Sequence, residues 1–363
     1  MNPLATSTLH DLGQSLWLDN ITRELLQSGT LRHYIDNLSV TGLTSNPTIF
    51  DHAIRHSASY DEDIASGAPS AGSAESLFFG LALADLTRAA ELLRPVFART
   101  DGVDGWVSLE VSPLLAHDTH RTLAGACRLH QRADRANLFI KIPGTAEGLP
   151  AIEAAIFAGV PVNVTLLFSR EQYLAAADAY LRGVERRIAA GLNPAVGSVA
   201  SLFVSRWDVA VGGRVPGELE NRLGIAVAQR TYTAYRELLA SARFQRAANA
   251  GARAQRLLWA STGTKDPKAP ADLYVKALAA PFTVNTMPEA TLQAFADGGE
   301  VGEVLAPDGG SAEMMLAAIA RAGIDVDALA ARLQDEGAAA FVRSWNDLMA
   351  CIESKRAVIR KAS

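Results

Sequence analysis

Short apolar, β-prone runs recur along the chain between longer stretches of helical periodicity, the pattern of parallel strands joined by crossover helices. Eight such runs stand out: Leu16 to Asp19, Gly42 to Asn46, Trp106 to Val111, Leu138 to Ile142, Val162 to Leu166, Val199 to Val204, Leu257 to Ser261 and Phe282 to Asn285. Eight is the number that closes a barrel, so the pattern predicts an α/β fold of the (β/α)₈ type.

The helices between the runs are well punctuated. Ser169 followed by Gln172 has the spacing of a capping box, and Gly191 stands where a left-handed residue would end the same helix. After Thr145, Pro150 falls in an early turn and Leu149, Ile152 and Ile156 share one face. Two regions exceed a minimal barrel. Residues 66–76 form a loop rich in Gly, Pro and Ser, followed by an amphipathic helix from about Leu77 to Ala98. Past the eighth run, a glycine-rich loop from Gly298 to Gly310 precedes two or three helices between Ala312 and Arg360, the last with Phe341, Trp345, Leu348 and Ile352 on one stripe. The expected organisation is one unit, 1–363, with a barrel over about 15–300 and a helical extension over about 311–360 packed on it.

Alternate side chains of a barrel strand point inward and outward, so parity separates lumen from wall. Ser108 and Glu110 oppose Val107, Leu109 and Val111; Phe139 and Lys141 oppose Leu138, Ile140 and Ile142; Asn163 and Thr165 oppose Val162, Val164 and Leu166. Asp19 opposes Leu18, Ser201 and Phe203 oppose Leu202 and Val204, and Ser261 opposes Leu258 and Ala260. Six strands thus aim polar residues at one lumen, toward the C-terminal strand ends where barrel enzymes build their sites.

Lys141, inside Leu-Phe-Ile-Lys-Ile, is the most informative of these residues. Desolvation inside a closed barrel favours the neutral form of an amine, and a neutral amine can attack a ketone carbonyl. Spacing alone leaves open a structural pair with Glu110 or a snorkelling lysine.

Composition narrows the class. With 363 residues, 49% hydrophobic and 20% charged, the chain can bury a sizeable core, and a net charge of −5 disfavours nucleic-acid and anionic-membrane surfaces as partners. The two cysteines, Cys127 and Cys351, are far apart and suit buried thiols in a reducing compartment. Neither a signal-peptide pattern nor a membrane-length apolar run is visible, so the expected location is the cytoplasm.

At these polar positions the sequence resembles the transaldolase family, in its longer bacterial form. The likeness runs from about Leu16 to the C-terminus. It rests on Leu43-Thr44-Ser45-Asn46-Pro47-Thr48-Ile49-Phe50, Val107-Ser108-Leu109-Glu110-Val111, Phe139-Ile140-Lys141-Ile142-Pro143-Gly144-Thr145, Val162-Asn163-Val164-Thr165-Leu166-Leu167-Phe168-Ser169 and Ala260-Ser261-Thr262-Gly263-Thr264-Lys265, all in family order.

The resemblance implies a class I aldolase barrel whose Lys141 forms a Schiff base with a ketose phosphate. It implies that Glu110, through a water held by Thr165, moves protons during dehydration, and that Asp19 takes the proton of the C4 hydroxyl. Asn46 and Asn163 would hold the three-carbon unit. Ser201, Arg206 and Ser261 match substrate and phosphate contacts; Lys265 stands near where many relatives have arginine. Phe203 replaces the tyrosine of the related fructose 6-phosphate aldolases and, with Glu110, favours transfer over simple cleavage. Sugar phosphates are the implied substrates of a monomer or homodimer. No cofactor or metal is implied, because the iminium itself serves as the electron sink.

Other classes fit less well. Asp19 and Glu110 alone would suit a glycosidase, but Lys141 has no role there. His52 with His56, or His117 with His120, lacks a third metal ligand in a recognised pattern. An inert scaffold would fill its lumen with branched apolar residues.

Overall fold

All eight apolar runs form strands: β1 (Ser15–Asp19), β2 (Val40–Thr44), β3 (Trp106–Glu110), β4 (Leu138–Pro143), β5 (Val162–Leu167), β6 (Ser198–Phe203), β7 (Gln255–Ala260) and β8 (Val284–Met287). They pair in parallel and in sequence order, and β1 also pairs with β8, which closes the barrel. The computed structural model describes residues 4–67 and 72–362. Among these, no helix is long and apolar enough to cross a membrane.

Two strands are displaced from the expected positions by about two residues. β2 starts at Val40 and β8 at Val284. Phe282, the expected start of the eighth strand, has φ +63° and is 63% exposed, so the strand begins only after this turn.

The helices follow their punctuation. Ser169 caps Arg170–Ala189 through a complete capping box with Gln172, and Gly191 adopts φ +68° just past its end. Pro47–His56 follows β2 directly, and the long helix expected from about Leu77 runs over Ala74–Arg99, capped by Ser73. Residues 68–71 of the loop expected before it lie outside the described residues. The C-terminal segment forms two helices, Ala312–Arg321 and Val326–Ala362. Phe341, Trp345, Leu348 and Ile352 are all buried, as their stripe predicts, and Trp345 meets Phe78 edge-on at 5.2 Å.

The lumen is layered. At the N-terminal end, Trp17, Trp106 and Phe139 form an aromatic plug, with the Trp106 and Phe139 rings stacked at 3.9 Å. Trp17 donates its indole N–H to Asp104 at 3.0 Å, and Arg256 lies 3.6 Å from the same carboxylate. Gly42 makes room for the plug, since a Cβ there would stand 2.6 Å from the Trp17 ring and 2.8 Å from the Trp106 carbonyl. Above the plug, polar side chains replace aromatic ones.

Parity holds on β3, β4 and β6 but fails at two strand ends. Leu258 and Ala260 were expected on the wall, yet they pack with Trp17, Phe139 and Val284, while Leu257 and Trp259 join the outer core. Leu166 likewise packs with Phe168 and Phe203. The cause is a left-handed residue at each place, Leu166 at φ +59° and Ser261 at φ +55°, each of which breaks the two-residue alternation.

The helix Leu223–Ala240 has no cap from its own N-cap residue Arg222. Asp208 supplies one, accepting from the Leu223 and Gly224 amides at 2.9 and 3.3 Å and from the Tyr274 hydroxyl at 2.8 Å. This ties down the short helix Ser205–Val211, which carries Arg206.

Two predictions follow from this packing. Gly42→Ala should destabilise the protein by about 1–3 kcal/mol, because neither the indole nor the backbone carbonyl can retreat freely; an unchanged urea midpoint would remove the close-approach argument. Burial raises the Asp208 pKa from 3.8 to about 6. The folded state therefore holds this proton longer than the unfolded chain, and the stability it contributes falls as pH rises from about 4 to 6, then levels off. The difference is worth about 3 kcal/mol at most. Asp208→Asn should lose this fall, so its stability relative to wild type should improve between pH 4 and 7. Parallel stability curves would refute it.

Candidate active site

Register assembles the site. Lys141 on β4 pairs with Glu110 on β3 and with Asn163 on β5, and Asp19 on β1 pairs with Thr44 on β2. Residues far apart in sequence become neighbours because they sit at matching heights on adjacent strands.

The Lys141 ammonium position is buried, with Nζ 3.0 Å from the Ser45 carbonyl oxygen and 3.5 Å from Glu110 Oε2. The second distance is a charge contact rather than a well-formed hydrogen bond. Both Glu110 oxygens and the Thr165 hydroxyl thus lack a hydrogen-bond partner among the described protein atoms. Three buried polar atoms without partners, next to a lysine, are expensive unless something else meets them.

Burial pushes the Glu110 carboxyl above its ordinary range; Lys141 pulls it back and Asp19 adds to the rise. Asp19 is also raised by burial, opposed by Lys141, by its hydrogen bond from Thr44 and by Lys265. Two carboxyls with elevated pKa values flanking one amine make an arrangement suited to proton transfer.

Of the expected residues, Asp19, Asn46, Lys141, Thr165, Ser201, Phe203, Arg206, Ser261 and Lys265 line one pocket of about 280 Å³ at the C-terminal end of the barrel. Glu110 and Asn163 do not line it. Glu110 lies behind Lys141, and Asn163 is held by its amide, donating to Ser108 at 3.2 Å and accepting from Ser201 at 2.7 Å. Asn46 caps the helix Pro47–His56 through its oxygen, accepting from the Ile49 amide at 3.1 Å.

Arg206 and Lys265 reach the pocket without a hydrogen bond or ion pair to any described residue. Among the described residues most arginines that make a side-chain polar contact pair with a carboxylate, so two unpaired cations at one mouth mark a place for an anion. Ser261, re-aimed by its left-handed backbone, meets the Ser205 hydroxyl at 2.9 Å in the same region.

The sequence reading missed Thr44, Thr286 and Phe341, which also line the pocket. Thr44 donates to Asp19 at 2.7 Å and meets the Thr286 hydroxyl at 2.8 Å. Parity could have flagged Thr44, two residues past the inward Gly42. Thr286 fell outside the strand as first bounded, and nothing local connects Phe341 to the barrel mouth.

Size does not single out this pocket. A cavity of about 690 Å³ lies beside Arg23, His52 and Tyr60, and one of about 590 Å³ lies beneath the aromatic plug. Neither contains the lysine. The His52 and His56 rings lie 4.4 Å apart, tilted by 36°, and His117 lies 3.2 Å from Glu147; among the described residues no group of three His, Cys, Asp or Glu could hold a metal ion.

Comparison with known proteins agrees with this geometry. The family model described as Transaldolase/Fructose-6-phosphate aldolase matches residues 16–352. A protein named Transaldolase from Thermobifida fusca is 46% identical over 350 residues, covering 94% of this chain and 95% of its own. Another so named, from Parafrankia sp., is 44% identical over 358 residues, covering 96% and 97%. Transaldolase 2 of Nostoc sp. is 39% identical over 366 residues, covering 96% of each. With the family model matching residues 16–352 and relatives at 44–46% identity over nearly the whole length, this chain, a closed eight-stranded barrel with a buried lysine at its C-terminal mouth, belongs to the transaldolase/fructose-6-phosphate aldolase family.

Proposed function

We propose that this chain is a transaldolase that moves a dihydroxyacetone unit from sedoheptulose 7-phosphate to glyceraldehyde 3-phosphate, reversibly, giving erythrose 4-phosphate and fructose 6-phosphate. The observation that carries the reading is Lys141, buried yet open to one pocket, with Glu110 behind it and Asp19 beside it. We read the whole chain, 1–363, as the functional unit, the barrel with its C-terminal helices packed on it.

The reaction begins when the Lys141 amine adds to the ketose C2 carbonyl. Glu110 donates a proton, through a water held by Thr165, to the departing hydroxyl, and water leaves as the imine forms. The raised pKa of Glu110 suits that acid role. Asp19 then takes the C4 hydroxyl proton, the C3–C4 bond breaks, and its electrons flow into the iminium to give an enamine. The first aldose departs. An incoming aldehyde is attacked by the enamine carbon, Asp19 returns its proton to the new alkoxide, and hydrolysis frees the product from Lys141.

Each remaining contact has a task in this scheme. Arg206 and Lys265 would take the phosphate, Arg206 as a fork and Lys265 as a point charge, with Ser261 beside them. Asn46 retains a free amide N–H₂ for the three-carbon unit. Asn163, deeper, has spare donor and acceptor capacity and fixes Ser201. Phe203 gives the site an apolar wall. Thr44 orients Asp19.

Incubation with fructose 6-phosphate and borohydride should fix a reduced three-carbon adduct on Lys141, read by peptide mass mapping. An adduct on any other lysine overturns the assignment. Glu110→Gln should remain folded and lose about 10²-fold or more in turnover, the scale of general acid catalysis. An undiminished rate would strip Glu110 of its role.

A further inference from the structure

The helix Val326–Ala362 crosses the barrel mouth, and its anchors show how. Gln334 donates its side-chain amide to the Gly144 and Leu166 carbonyls at 3.1 and 2.9 Å, at the ends of β4 and β5. Ser344 accepts from Thr48 at 2.8 Å, on the helix that follows β2. Ten residue steps along the helix separate the two anchors, a span of about 15 Å, enough to bridge the opening. Farther along, Lys355 is tied to the Ser57 carbonyl and to Asp61.

The helix also approaches closely. A Cβ at Gly337 would stand 3.0 Å from Leu166 Cδ2, so even an alanine there would crowd the Leu166 side chain. One turn beyond, Phe341 turns into the pocket that contains Lys141, and it is only 7% exposed. It packs in one apolar cluster with Leu166, Phe168 and Phe203. The left-handed backbone of Leu166 turns that residue toward this cluster and away from the wall.

The chemistry makes this roof consequential. The enamine on Lys141 has two fates. Its nucleophilic carbon can bond to an acceptor aldehyde, or it can take a proton from water or from an acid of the site. In the second case water then adds to the resulting iminium, the amine leaves, and free dihydroxyacetone is released. The two paths differ in their need for water at the reacting carbon, and a large apolar side chain above that carbon opposes the second.

We propose that Phe341 is a specificity-determining residue that sets the partition of the enamine between transfer and release, with Gln334 as the positioning residue that holds it over the mouth. The inference rests on the Schiff-base reading of Lys141.

The test uses the full chain as wild type, Phe341→Ala, Phe341→Leu and Gln334→Ala, with fructose 6-phosphate as donor and erythrose 4-phosphate as acceptor. Free dihydroxyacetone and transfer product are measured in the same reaction, alongside borohydride trapping. Phe341→Ala should raise the ratio of release to transfer about tenfold or more with the Lys141 adduct undiminished. Phe341→Leu should restore most of the transfer, a rescue that a merely structural role would not predict. Gln334→Ala should raise the ratio by a smaller factor. An unchanged ratio in Phe341→Ala with the adduct intact overturns the inference and leaves the mechanism standing. If the alanine variant does not fold, an unchanged ratio in Gln334→Ala with the Lys141 adduct intact overturns it. Absence of any Lys141 adduct in wild type instead sinks the reading on which it rests.

Discussion

The structure depends on one constraint, the burial of an amine and two carboxyls inside a closed barrel. Isolated charges in such a place are too expensive to keep, so they persist only where they face one another or a partner that arrives later. Lys141, Glu110 and Asp19 face one another from three strands, and the register that puts them there is that of the barrel itself. The same desolvation that makes them costly raises the carboxyl pKa values and prepares the site for proton transfer. Stability and chemistry therefore pull on the same residues.

The layering of the lumen answers this constraint. Trp17, Trp106 and Phe139 seal the N-terminal end, so the polar layer is reached from the mouth. Trp17 and Asp19 share a face of β1, as do Phe139 and Lys141 on β4, so these two aromatics lie one inward position below a reacting group, and Trp106 lies two below Glu110 on β3. The plug thereby fixes the height of the chemistry as well as the packing of the core. Above it, left-handed residues at Leu166 and Ser261 end the strict alternation of β5 and β7. One brings an apolar side chain to the wall of the site and the other brings a hydroxyl to the place of the two unpaired cations.

Much of this was legible in the chain. The eight strands and their parallel sense follow from the alternation of apolar runs with helical stretches, and the inward set of Glu110, Lys141, Asn163, Thr165 and Ser201 follows from period-two alternation, because a strand carries its facing in its own sequence. The capping box at Ser169 and the stripe from Phe341 to Ile352 are equally local. Alternation misplaced Leu166, Leu258 and Ala260, since a single positive φ inverts parity and leaves no signature when the residue is not glycine. Thr286 was missed for a related reason: the strand starts after a strained Phe282 that reads like strand by composition.

What the sequence by itself determined is therefore the set of elements, their facing and the family they resemble, all of which reside in short windows and in the identity of residues such as Lys141. Only the tertiary structure decided which strands stand side by side at what height, that Thr44 holds Asp19, that Asp208 caps a helix that lacks its own cap, and that a helix from the far end of the chain lowers Phe341 into the pocket. Those are contacts across tens to hundreds of residues, and they exist because closing a barrel leaves each side chain one set of neighbours that no local pattern encodes.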